Sequence, residues 1–239
     1  MQLIDHLFIA LLFLVQPVYG WFAYHRVVAA AKAGEPVDRI RLYRETAAIE
    51  WLALAVLLGT WWLLARDVSA LGLTVPGGSG FWWSLLATAL VFVAMVYSAR
   101  GIREINEDQR QRYVGQIGDI GLFLPSTTRE LRGFVGVSVT AGVVEEIVYR
   151  GFVLWYLATF MPLWAAIGLS SLAFGLAHSY QGFHGMWRTA AVGTAMAVLF
   201  VASGSIWLPI IAHALFDVIQ GLQAKELLRE RRSATPEPA

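Results

Sequence analysis

The apolar run from Phe134 to Phe160 carries three charges near its centre: Glu145, Glu146 and Arg150. A helix needs about 20 mostly apolar residues to cross a bilayer, so this run is long enough to span one. Each charged side chain at bilayer depth costs roughly 2.5–3.5 kcal/mol on insertion scales. A chain with three of them within six residues must neutralise them against one another or use them. The rest of the sequence shows where partners for them can come from.

The chain has 239 residues, 57% hydrophobic and 15% charged, with a mean hydropathy of +0.58. Soluble domains carry about 25% charged residues. The expected class is therefore all-α: a polytopic membrane helix bundle. Seven apolar segments are spaced along it, at 3–23, 46–64, 81–99, 134–160, 163–178, 189–202 and 206–222. The last three are short, which suits tilted or broken spans. Basic residues alternate between connectors. Five lie between the first and second spans, Arg66 alone follows the second, six flank the connector before the fourth, and four follow the seventh. By the positive-inside rule this predicts about seven transmembrane helices, with the N-terminus outside and the C-terminus cytoplasmic. Residues 1–8 lack the basic start of a cleavable signal peptide, so the first span is expected to be retained. The absence of cysteine removes disulfides, thiolate zinc sites and cysteine nucleophiles. No nucleic-acid partner is expected.

Two connectors carry local signals. Residues 71–80 hold four glycines and a proline, the pattern of an irregular loop. In the connector 100–128, residues 102–112 read as an interfacial helix. Thr127 and Glu130 then fit a capping box that starts the fourth span. One transmembrane domain is expected over 1–228, with its chemistry concentrated in 124–223, followed by a polar, disordered tail at 229–239.

Six ionisable residues sit well inside the spans: Glu145, Glu146, Arg150, His178, His213 and Asp217. They sit on the fourth, fifth and seventh spans, and the middles of the others carry none. Such residues mark functional sites by default. Glu146 and Arg150 are four apart on one helical face and can neutralise each other. Glu145 is rotated about 100° from Glu146 and has no partner on its own helix, so it is the carboxylate left for chemistry. Asp217, four residues after His213, can orient that imidazole. Phe174 lies one turn before His178 and is expected to pack beside it. His184 and Arg188 read as a short connector. Counted from the turn near Met161, Glu145 and His178 reach similar depth. His213 lies only about eight residues into its span, so the seventh span must be tilted or displaced. Glutamate with two histidines suits three chemistries: activation of water, a zinc site with an open position, or a proton relay.

At these residues the chain resembles the CAAX prenyl protease and bacteriocin-processing family of intramembrane proteases. Its Glu-Glu-x-x-x-Arg motif matches Glu145, Glu146 and Arg150. Its Phe-x-x-x-His motif matches Phe174 and His178. Its His-x-x-x-Asn/Asp motif matches His213 and Asp217. Order, spacing and placement all agree. The resemblance implies an endopeptidase in which Glu145 and His178 activate water, and His213 and Asp217 stabilise the oxyanion. Glu146, Arg150 and Phe174 would support the site. It implies no cofactor, or, in the metalloprotease view, a zinc ion held by Glu145, His178 and His213. It also implies a membrane-embedded or lipidated peptide or protein substrate, and a multi-pass protein of a bacterial cytoplasmic (inner) membrane. The CAAX-processing branch usually carries Asn where this chain has Asp217, which weakens the case for prenylated CAAX tails. The alternative is a non-catalytic membrane scaffold or bacteriocin-immunity-type protein of the same fold.

Overall fold

A computed structural model describes residues 1–229. Beyond Arg229 the expected disordered tail lies outside the described residues. Among those residues every regular element is a helix. Seven long helices and one short one follow in order: α1 Leu3–Lys32, α2 Arg39–Leu63, α3 Gly78–Arg100, α4 Glu107–Ile117, α5 over 128–158, α6 Leu163–Ala177, α7 Gly182–Ser203 and α8 Trp207–Leu228. Four stretches are long and apolar enough to cross a membrane: α1, α2, α3 and Ser179–Ser203, which contains α7. The apolar α6 is shorter. On α1 to α3, Leu14, Val18, Leu52, Val56, Leu90 and Val93 face outward and are exposed. An apolar exterior on helices of this length is what a bilayer requires. The protein is an integral membrane protein.

Local chemistry sets the helix ends. The α5 start is the expected capping box: the Glu130 amide donates to Thr127 Oγ1 at 3.2 Å, and the Thr127 amide donates to Glu130 Oε2 at 3.1 Å. The interfacial helix falls later than expected, at Glu107–Ile117, because Asn106 and Gln109 form a second capping box. His184 and Arg188 lie not in a connector but within α7, which begins directly after Gln181. Gly182, at φ 79°, makes the turn that lets the helix start that early.

The ends of the bundle are tied by polar contacts. Lys32 bonds Asp119 at 2.8 Å, Arg39 reaches Glu130 at 3.3 Å, Tyr43 donates to the Phe123 carbonyl at 2.9 Å, and Arg110 donates to the Leu227 carbonyl at 2.8 Å. These join the α1–α2 turn, the 101–127 connector and the end of α8. At the other end of α1, Asp5 takes both arms of Arg66, each at 2.7 Å.

The α7–α8 turn is sunk into the bundle. Ser203, Ser205 and Ile206 are buried, and the Ile206 amide donates to the Gly72 carbonyl at 3.0 Å. So α8 begins deep, and His213 needs few residues to reach the level of Glu145. That resolves the mismatch in depth. Gly142 brings the two helices together. A Cβ there would lie 2.9 Å from the Ile210 carbonyl oxygen and 3.0 Å from Ala214. Small residues permit this close approach between membrane helices.

Candidate active site

The motif residues meet where α5, α6 and α8 converge. Helix α5 is regular over Thr128–Glu146, turns π over Ile147–Val153, and resumes as Leu154–Ala158. Every residue of the π segment is buried. Such segments are rare and recur at functional sites.

Glu146 is the hub. It is fully buried, and its Oε1 accepts from Arg150 Nη1 at 2.8 Å and bonds His213 Nδ1 at 2.7 Å. Arg150, 1% exposed, also donates to the Gly193 carbonyl on α7 at 3.2 Å. Its guanidinium lies 4.4 Å from the centre of the Phe174 ring, a cation–π contact. The Phe174 ring touches both histidines, at 4.7 Å from His178 and 6.1 Å from His213, and stands edge-on to Tyr149 at 5.0 Å. Phe174 is thus the shared wall of the site, more than a neighbour of His178.

Asp217 does not orient His213. Its Oδ2 lies 3.7 Å from Nε2, too far for a hydrogen bond, and Glu146 holds the ring from the other nitrogen. A carboxylate at hydrogen-bond distance outcompetes one on the next turn. Because Glu146 accepts, His213 carries a proton on Nδ1, and Nε2 is the atom presented to Glu145 and Asp217. His178 ends α6, and its Nδ1 lies 2.8 Å from the Phe174 carbonyl. A carbonyl only accepts, so Nδ1 holds the proton and the neutral ring keeps its lone pair on Nε2.

Glu145 stands apart from these pairs. Its Oε2 is 3.9 Å from His213 Nε2, and the atom is buried without a hydrogen-bond partner. It lies beyond hydrogen-bond reach of His213. Gaps beyond 3.5 Å between polar groups are where a bridging water fits.

A seventh ionisable group belongs to the cluster. Glu50, on α2, has a buried Oε2 without a partner, and its charged neighbours are Glu145, His213 and Asp217. It lies near the start of the apolar segment 46–64, close after Arg44 and Glu45, and no motif contains it. The 25-residue α2 begins earlier than that segment and carries Glu50 inward. Two further contacts close the region: the Tyr149 hydroxyl donates to Gln16 Oε1 at 2.9 Å, and Trp51 Nε1 on α2 donates to Thr140 Oγ1 on α5 at 3.1 Å.

Among the described residues no group of three His, Asp or Glu side chains is arranged to hold a metal. Both histidines bond through Nδ1, to Glu146 and to a carbonyl.

No curated protein and no solved structure matches the chain. One family model does: Type II CAAX prenyl endopeptidase Rce1-like, over residues 127–219. That stretch holds all three motifs, while Glu50 lies outside it. The family that the motifs resemble is therefore the family this chain matches, and the segment built from α5 to α8 is Rce1-like.

Proposed function

We propose that the protein is an intramembrane endopeptidase of the CAAX type, hydrolysing a peptide bond of a membrane-associated protein or peptide with water activated at Glu145. The observation that carries this reading is the buried, unpartnered Glu145 Oε2, 3.9 Å from His213 Nε2. A water between these two atoms is held by a base on one side and an imidazole on the other. Glu145 takes a proton from the water as its oxygen attacks the peptide carbonyl carbon. The carbonyl π electrons move to the oxygen, which becomes the oxyanion. Glu145 then returns the proton to the amide nitrogen as the C–N bond breaks. Positioned general bases contribute roughly 10²–10⁴-fold.

His178, which packs against the same Phe174 ring as His213, supports this step. Its Nε2 lone pair can accept from the same water and turn it toward the substrate. In its doubly protonated form, His213 donates through Nε2 to the oxyanion, while Glu146 balances the charge of the ring. Asp217, an acceptor when ionised, lies beyond hydrogen-bond reach of Nε2 and does not itself donate to the oxyanion. Glu146 and Arg150 fix the helix and the ring. The mechanism uses no cofactor, and a chelator should leave the rate unchanged.

The membrane arrangement proposed with it has seven spans, with the N-terminus outside and the C-terminus in the cytoplasm of a bacterial cell. Two observations support it. The basic connectors gather at the Lys32, Arg39 and Arg110 end, and Asp5 lies at the opposite end of α1. The test of function is comparative mass spectrometry of membrane fractions from cells carrying wild type or Glu145→Ala. Precursors that accumulate only with the variant would name the substrate. Identical termini in both would refute the endopeptidase reading and favour a scaffold.

A further inference from the structure

Three arginines come together at the end of the bundle where α2 and α5 both begin. Arg41, Arg44 and Arg129 line an open cavity of about 440 Å³ with Asp38, Ile40 and Glu45. Its size falls within the roughly 300–1,000 Å³ of ligand sites. The two acids are already spent on Arg41. Asp38 accepts from the Arg41 amide at 3.0 Å and so caps α2, and Glu45 accepts from Arg41 Nε at 2.7 Å. Arg44 and Arg129 are exposed, and among the described residues neither meets a carboxylate. The N-terminal ends of α2 and α5 add partial positive charge to the same corner. The cavity therefore holds two guanidinium groups without a counter-charge.

This corner continues into an apolar surface. Arg44 stands two residues before the apolar segment 46–64. From Glu45, steps of three and four residues carry one face of α2 through Ile49, Leu52 and Val56, all exposed. On α5 the face of Arg129 leads in the same way to Val139, also exposed. Trp51 and Thr140 tie the two helices together alongside. We propose that the cavity binds the phosphate of an anionic phospholipid, whose acyl chains lie along these outer faces of α2 and α5. The forked guanidinium matches phosphate oxygens two at a time. Basic pockets between membrane helices hold anionic headgroups by this chemistry. A free phosphate ion would use the arginines and leave the apolar stripe unused. The assignment is independent of the endopeptidase reading.

The test compares full-length protein in detergent in three forms. These are wild type, a cavity variant carrying Arg44→Gln and Arg129→Gln, and a control carrying Arg100→Gln and Arg112→Gln. The control removes the same charge at exposed positions outside the cavity. Each is titrated with phosphatidylglycerol or phosphatidylcholine of matched chains, and bound lipid is counted by native mass spectrometry. Wild type should hold phosphatidylglycerol about tenfold or more tightly than phosphatidylcholine. The cavity variant should bind phosphatidylglycerol about thirtyfold more weakly, near fivefold for each arginine at a charged membrane surface. The control should stay close to wild type. Equal affinity for the two lipids in wild type, or equal losses in the two variants, would overturn the assignment. Inorganic phosphate in excess should leave the lipid bound. Its displacement by phosphate would mark a site for the free anion and would likewise overturn the lipid assignment.

Discussion

Two buried charge clusters sit in this bundle, and they are built differently. At one end, Asp5 is 1% exposed and every carboxylate oxygen is engaged: Oδ1 with Arg66 Nη1, and Oδ2 with Arg66 Nη2 and the Gln2 amide, all at 2.7 Å. Arg66 is also stacked on Trp61 and Trp155, at 5.0 and 5.1 Å. In the other cluster one oxygen, Glu146 Oε1, takes both Arg150 and His213, while Oε2 of Glu50, Glu145 and Glu146 take none. Both clusters are largely buried. The first is closed, with nothing left to bind. The second keeps acceptors open at a depth where open acceptors are expensive. A saturated ion pair reads as architecture, and an unsaturated one as a site.

Substitutions can break that contrast, beginning with the largest expected loss of stability. Arg150→Ala leaves Glu146 fully buried with His213 as its one remaining partner. Removing one member of a buried pair costs about 3–5 kcal/mol. It should appear as a much lower midpoint of denaturation in detergent, and cleavage should fall with it. Asp5→Asn keeps the shape of the closed cluster but removes its charge. Arg66 remains partly exposed and can turn to water, so the cost should be about 1–3 kcal/mol, the range for a hydrogen bond left unmade. The distinguishing readout is cleavage per folded molecule, which Asp5→Asn should leave intact.

The smallest effect lies at the α5 cap. Burial works to raise the Glu130 carboxyl. The Ser126 amide and hydroxyl, the Thr127 amide and Arg39 outweigh it and hold the group at about 2, below its ordinary 4.5. A depressed folded-state value means the carboxylate stabilises the fold above about pH 4.5, and loses that contribution as the pH falls toward 2. Thr127→Ala should cost roughly 0.5–2 kcal/mol at neutral pH. If denaturation midpoints measured from pH 6 to pH 3 fall less steeply in Glu130→Gln than in wild type, the cap accounts for part of the acid sensitivity.

The sequence made much of this legible because short-range spacing carries it. Helix periodicity places Glu146 with Arg150, Phe174 with His178, and Thr127 with Glu130. What it cannot show depends on contacts between distant segments. Spacing pairs His213 with Asp217, yet Glu146, sixty-seven residues away, holds the ring. Nothing in Ile147–Val153 marks it as a π segment, since that winding answers to packing against α6 and the 68–71 turn. Spacing assigns nothing to Glu50, because hydropathy locates the apolar part of a helix and not its true start. The recessed α7–α8 turn, which sets the depth of His213, depends on the Gly72 carbonyl in the distant α2–α3 connector.

The central claim is that the open oxygen of Glu145 activates water. Its most direct test is the rate at which purified, liposome-reconstituted protein cleaves a substrate identified from the membrane proteome, as wild type and as Glu145→Gln. The account predicts a loss of roughly 10²–10⁴-fold in the variant, with an unchanged denaturation midpoint. Cleavage at the wild-type rate by well-folded Glu145→Gln would contradict it.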